Sequence, residues 1–161
     1  MSKIYFGYTT STFGLKGELK CFTDFERKDL VLKKNHPIYI KDQKHTLSSI
    51  RAHKGCFLIR IDNHEDINEV EEFRHQKIFI EREELELKNS EFLFQDIIGF
   101  SICEEGKILG IIKNIRYNKS GILLSVVGEK TFLIPYNDFY IKEIVWPEKK
   151  VIGQNIKGLM L

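Results

Sequence analysis

No window of this sequence approaches the roughly 18 uninterrupted apolar residues that a membrane-spanning helix needs. Its start, MSKIYFGYTT, has neither the apolar core nor the small-residue cleavage site of a secretory signal, so a cytoplasmic location is expected. Cysteine is scarce: Cys21, Cys56 and Cys103 are odd in number, far apart and set among apolar neighbours, which argues against a disulfide framework. They read as reduced core residues. With no CxxC and no HExxH among His36, His45, His53, His64 and His75, local spacing supplies no zinc ligand set. Proline occurs only 3 times in 161 residues, and the apolar share of 42% beside a charged share of 30% is that of a folded globular chain rather than a disordered or collagen-like one.

Catalytic signatures are missing as well. A nucleophile elbow, GxSxG, does not occur, and the hydroxyls of Thr9 to Thr12 read as loop residues. A phosphate-binding P-loop requires four residues between its first glycine and a Gly-Lys-Ser/Thr, because the backbone must wrap the phosphates. "GLKGELK", residues 14–20, has its lysine between the glycines and is followed by a strand-like run instead of a helix. Gly14 and Gly17 therefore read as a backbone corner needing positive φ. No cofactor or metal is expected.

Charge is present but segregated. Residues 27–60 carry 9 basic and 2 acidic side chains, residues 61–105 carry 4 and 14, and residues 106–161 carry 9 and 4, beneath a net charge of only +2. A basic block suits nucleic-acid phosphates and an acidic one suits a basic protein, although each taken alone also reads as a solvated face. Within the basic block Lys28, Lys33, Lys34 and Arg51 are the candidate RNA contacts.

Apolar residues mostly recur at period two in short runs bounded by turn residues, the pattern of antiparallel barrels or sandwiches. Strands are expected at Lys3 to Tyr8, Glu18 to Thr23, Pro37 to Lys41, His45 to His53, Phe57 to Ile61 and Lys77 to Glu81, with tight turns at Asp42-Gln43 and Lys54-Gly55. Six more are expected at Gly99 to Cys103, Ile108 to Arg116, Ile122 to Val127, Thr131 to Pro135, Tyr140 to Trp146 and Lys150 to Ile152. One short helix is expected in "NHEDINEVEEFRHQK", capped by Asn63, with Glu65 and Asp66 at its start, Arg74 and His75 near its end, and a stripe of Ile67, Val70 and Phe73. The acidic "REELELKNSE" has few core anchors and reads as a linker. The expected architecture is mainly β: two small barrels in tandem, residues 1–82 and 91–161, joined by 83–90.

"EFLFQDIIGF" places Phe92, Leu93 and Phe94 directly after that linker, where such a row usually leaves at least one side chain outside the core. Domain packing and a partner contact are both open readings. Tyr136 and Phe139 in "FLIPYNDFYI" are placed to rim the same surface.

The ordered set "GYTTSTFGLKGELKCFTDF", "IDNHEDINEVEEFRHQKIFI", "EFLFQDIIGF", "GKILGIIKNI", "LIPYNDFYIKEI" and "KGLML" resembles the RimM family of ribosome maturation factors over nearly the whole chain. The resemblance implies an N-terminal six-stranded barrel like those of translation factors and a C-terminal PRC-barrel. It implies a non-enzymatic factor that binds the immature small (30S) ribosomal subunit, assists assembly of its head and processing of 16S rRNA, and contacts the nineteenth small-subunit ribosomal protein. Gly14, Leu15, Gly17 and Glu18 match the family's Gly-Leu-x-Gly-Glu signature, while Asn63, Glu65, Asp66 and Arg74 match its capped helix; both sets look architectural. Phe92, Leu93 and Phe94 occupy the place of a family aromatic pair followed by tryptophan, with the hydroxyls and one ring lost. Phe13 replaces a histidine. Partner contact is thus expected at Phe92, Leu93, Phe94 and Tyr136. The rival readings are a general single-stranded-RNA-binding β-barrel and an RNA-processing enzyme.

Overall fold

The structure, a computed structural model, describes residues 3–160; the domain limits expected at Met1 and Leu161, and the last residue of "KGLML", lie outside the described residues. The chain divides into two compact units, Met1–Glu91 and Phe92–Leu161. Both consist of strands joined by turns and short 3-10 segments, the mainly β architecture that the period-two pattern predicts.

In the first unit β1 (Lys3–Phe13), β2 (Glu18–Phe22), β3 (Pro37–Ile40), β4 (Gln43–His53), β5 (Cys56–Ile61) and β6 (Lys77–Glu81) form a closed barrel in the order β1-β2-β5-β4-β3-β6. Inward residues alternate where the strands are regular, so Leu19, Ile38, Leu47, Ile59, Ile61, Ile78 and Ile80 fill the interior with almost no exposure. Cys21 is buried with them, and loss of water raises its thiol pKa to about 12, which leaves it inert as a nucleophile. The β3–β4 turn is Lys41-Asp42, with φ of 51° and 63°, one residue earlier than expected, because Gln43 already pairs with Ile40.

β1 pairs with β2 on one edge and β6 on the other, and its register shifts between Tyr5 and Gly7 and again between Thr9 and Thr12. These bulges bend the strand enough to close the sheet. The threonines expected in a loop therefore lie in β1, where the buried Thr9 hydroxyl donates to the Phe73 carbonyl and accepts from the Gln76 N–H at 3.0 Å.

The expected helix is instead two 3-10 turns, Ile67–Glu69 and Glu71–Phe73. Ile67, Val70 and Phe73 recur at a spacing of three with no partner at four, which is the 3-10 period; an α-helix needs the wider stripe. The cap is Asp66, whose side chain accepts from the Asn68 N–H at 2.8 Å, and Asn63 is exposed outside it. Val70 and Phe73 are nonetheless buried and plug one end of the barrel.

The second unit contains β7 (Ser101–Glu104), β8 (Lys107–Asn118), β9 (Gly121–Val127), β10 (Thr131–Pro135), β11 (Ile141–Val145) and β12 (Lys150–Gly153). Its sheet runs β10-β9-β8-β7-β12-β11, antiparallel except for the parallel β12–β7 pair. The expected second barrel is a six-stranded sheet whose hydrogen-bonded order does not close on itself among the described residues. It still curls, since residues of all six strands meet in one core: Ile102, Ile112, Leu124, Ile134, Ile141 and Val151 among them. Ile97, on a turn packed against β8, and the 3-10 segment Lys157–Met160, packed against β10, help to enclose it. Buried Glu104 fixes the C-terminal stretch by accepting the Ile156 N–H at 2.9 Å.

The corner at residues 14–17 answers to sterics. Gly14 (φ 65°) faces open space, whereas Gly17 (φ 81°) runs so close to the plug segment that a Cβ would lie 2.6 Å from the His64 carbonyl oxygen. Gly14→Ala is therefore expected to cost about 1–2 kcal/mol, from positive φ alone, and Gly17→Ala roughly twice that, from φ plus the clash. Urea unfolding midpoints of the two variants provide the measurement; equal losses would refute the packing argument.

Candidate functional site

The turn Phe94–Ile97 opens the second unit, and its start is fixed by reciprocal bonds: Leu93 N–H donates to the Asp96 carboxylate at 2.9 Å, and Asp96 N–H donates to the Leu93 carbonyl at 2.8 Å. Leu93, at the start of this turn, is fully buried. Leu93, expected as a contact residue, has no exposed surface, and it stands outside the core cluster of the second unit, against which Phe92 and Phe94 pack. Its neighbours Phe92 and Phe94 are left half-buried at the surface.

Around them stands a group of rings. Phe92 meets Phe94 at 5.5 Å, Trp146 at 5.3 Å and Tyr136 at 6.4 Å, all edge to face; Phe94 meets Tyr136 at 4.9 Å and Phe100 meets Trp146 at 5.5 Å. Edge-to-face geometry brings the positive rim of one ring to the negative face of the next, worth about 0.5–1.5 kcal/mol per pair beyond burial. Partial burial, with Asp138 nearby, raises the Tyr136 pKa. Trp146 is 42% exposed and completes the patch. Phe139, expected on the same rim, has Tyr140 as its ring partner at 4.9 Å. Sequence reasoning missed Trp146 and Phe100 as members; the signal available was a lone tryptophan at a strand end.

On the barrel, Lys33, Lys34 and Arg51 converge with Leu32, Ser49 and Phe57 on one groove of about 460 Å³. Lys28, the fourth expected RNA contact, is exposed on a separate 3-10 turn and does not line it. Arg51 is held by a two-pronged bond to Glu18 (2.9 and 3.0 Å), with its guanidinium 5.7 Å from the Phe13 ring. The bond to Arg51 lowers the Glu18 pKa. The Gly-Leu-x-Gly-Glu stretch thus has two tasks: Gly17 makes the corner, and Glu18 aims a cation.

The expected linker is engaged with the barrel. Glu84 accepts from the Tyr39 hydroxyl at 2.7 Å and pairs with Lys44 at 2.9 Å; Glu86 pairs with Lys33 at 3.0 Å; Glu91 pairs with Arg27. Part of the acidic block is therefore spent inside the first unit on its basic block. Each exposed pair is weak alone because water screens it, but together they fix the course of residues 84–91. Among the described residues, no group of three or more His, Cys, Asp or Glu side chains is placed to hold a metal ion.

A model of the RimM N-terminal domain matches residues 4–85, just over half of the chain. The chain belongs to the RimM family. Its relatives include the ribosome maturation factor RimM of Staphylococcus aureus, 28% identical over 165 residues that cover 98% of this chain and 99% of the relative. That of Staphylococcus haemolyticus is 29% identical over 161 residues, 96% of each. Among solved structures, a 16S ribosomal RNA processing protein RimM of Pseudomonas aeruginosa aligns over 95% of this chain and 97% of its own, at 18% identity and a TM-score of 0.48.

Two outcomes follow for this RimM-family chain. Because the folded Glu18 pKa lies below its unfolded value, its bond to Arg51 stabilises fully above the ordinary carboxylate range and fades as the pH falls through the lowered value. Glu18→Gln is thus expected to be less stable than wild type at pH 7, with the gap closing as acid is added; a gap independent of pH would contradict the assignment. Removing the central ring in Phe92→Ala is expected to cost about 2 kcal/mol and to shift Trp146 fluorescence to the red, and an unshifted spectrum would show that the rings do not touch in solution.

Proposed function

We propose that this chain is a ribosome maturation factor that works by docking, in the cytoplasm and without covalent chemistry. It binds the immature small ribosomal subunit, assists assembly of its head and processing of 16S rRNA, and contacts the nineteenth small-subunit ribosomal protein. Membership of the RimM family and full-length relatives named ribosome maturation factors support this reading.

The observation that carries it is the half-exposed ring patch of Phe92, Phe94, Tyr136 and Trp146. Aromatic side chains give large contact area with little entropy to lose, which is why they concentrate at protein interfaces. The hydroxyl of Tyr136 gives the patch a polar handle. Lys33, Lys34 and Arg51 in the barrel groove supply phosphate contacts, which position a protein on RNA without reading sequence, and Lys28 adds a further cation on its own turn. Binding the productive arrangement of RNA and protein better than the alternatives shifts the population toward it.

Co-sedimentation with precursor and mature small subunits, side by side, tests the proposal. Wild type is expected to pellet with precursor particles in preference to mature ones. Phe92→Ala with Phe94→Ala is expected to weaken pelleting at least tenfold while the far-ultraviolet dichroism stays native. Unchanged pelleting would remove the patch from the interface, and turnover of a purified ribosomal RNA transcript would overturn the docking mechanism itself.

A further inference from the structure

The outer face of the barrel carries a second set of rings that the docking reading does not use. Tyr5 and Tyr8 lie three residues apart on β1, a spacing that puts side chains on opposite faces of a regular strand. The bulge between Tyr5 and Gly7 absorbs the odd residue: Phe6 turns inward at 2% exposure, and Tyr5 and Tyr8 both face out at 49% and 44%. Backbone pairing then sets them in two rows across neighbouring strands. Tyr39, Phe79 and Tyr5 are aligned across β3, β6 and β1, and Lys77, Tyr8 and Phe22 across β6, β1 and β2.

Within the rows Tyr8 stacks on Phe22 at 5.5 Å and 17° between planes, and Tyr5 meets Phe79 at 5.8 Å and 73°. The two tyrosines remain substantially exposed after making these contacts, which is not how a core is built.

Two lysines without ion pairs lie beside the rings. Lys77 is in the second row and Lys20 shares the outer face of β2 with Phe22; neither makes an ion pair among the described residues. Lys3 lies 5.0 Å from the centre of the Tyr39 ring. Of the neighbouring carboxylates, Asp42 is bound to Lys3 at 3.0 Å and Glu84 to Lys44 and Tyr39, and Asp24 stands near Tyr5. Rings with free faces, bordered by lysines, suit a ligand that offers flat unstacked bases on an anionic backbone. A duplex offers no such faces, because its bases are already stacked.

The geometry points to a stacking platform for single-stranded RNA on the β3-β6-β1-β2 face, built on Tyr5, Tyr8, Phe22 and Phe79 and distinct from the Lys33–Lys34–Arg51 groove. This rests on the reading above only in taking the target to contain RNA. The platform binds segments not yet folded into helices and releases them once they pair, which gives a preference for unfinished RNA without sequence readout.

The test is fluorescence anisotropy of the full chain with a labelled ten-nucleotide uridine strand and with a blunt RNA duplex of equal length. Wild type is expected to bind the single strand at least tenfold more tightly. Tyr8→Leu with Phe79→Leu keeps apolar cover but cannot stack, and is expected to weaken single-strand binding about tenfold or more with an unchanged urea midpoint; Tyr8→Phe is expected to restore it. Equal affinity for duplex and single strand, or full binding by the leucine variant, would overturn the platform, as would a dimer in analytical ultracentrifugation that depends on Tyr8 and Phe79. Because co-sedimentation is read through Phe92 and Phe94, the platform and the docking patch can fail separately.

Discussion

Closing the first sheet on itself is the constraint on which the arrangement depends. An open sheet leaves unpaired N–H and C=O groups at its edges, and in a barrel they are all paired. Here the cost falls on β1, which must satisfy both β2 and β6 and does so with two bulges. From those bulges follow the buried Thr9 that ties β1 to the plug segment, the tight corner at Gly17, and the outward turn of both Tyr5 and Tyr8. Two irregularities in one strand therefore shape the end of the barrel and its aromatic outer face.

The second unit meets the same need differently. Its sheet is open by hydrogen bonding, yet all six strands contribute to one core, and the Phe94–Ile97 turn and the Lys157–Met160 segment pack on β8 and β10 respectively. The bonds between Leu93 and Asp96 fix the start of the turn, and Phe92 and Phe94 pack against the core while staying half-exposed, where Trp146 and Tyr136 meet them. Chemistry of this kind needs no activated nucleophile. It needs rigid apolar area with a polar rim, held by a packed scaffold.

Much of this was legible in the sequence because period two is a direct image of a half-buried strand: among the described residues eleven of the twelve strands sit where alternation puts them, to within two residues, whereas β1 runs five residues further, through the threonines. What was misread was a spacing of three at Ile67, Val70 and Phe73, which fits a 3-10 segment as written and was assigned to an α-helix. Other features were out of reach of local pattern. Trp146 meets Phe92 across 54 positions, Glu84 meets Lys44 across 40, and counting charges along the chain cannot reveal that part of one block neutralises another. Nor does spacing disclose a bulge, without which Tyr5 and Tyr8 would be assigned to opposite faces.

Hydrogen–deuterium exchange of the chain free and bound to precursor small subunits tests the central claim most directly, since it reads which backbone becomes shielded in the complex. The account predicts added protection at residues 92–96, around Tyr136 and at Trp146, with none confined to the buried strands. A stable complex in which those three segments exchange as fast as in the free chain would contradict it.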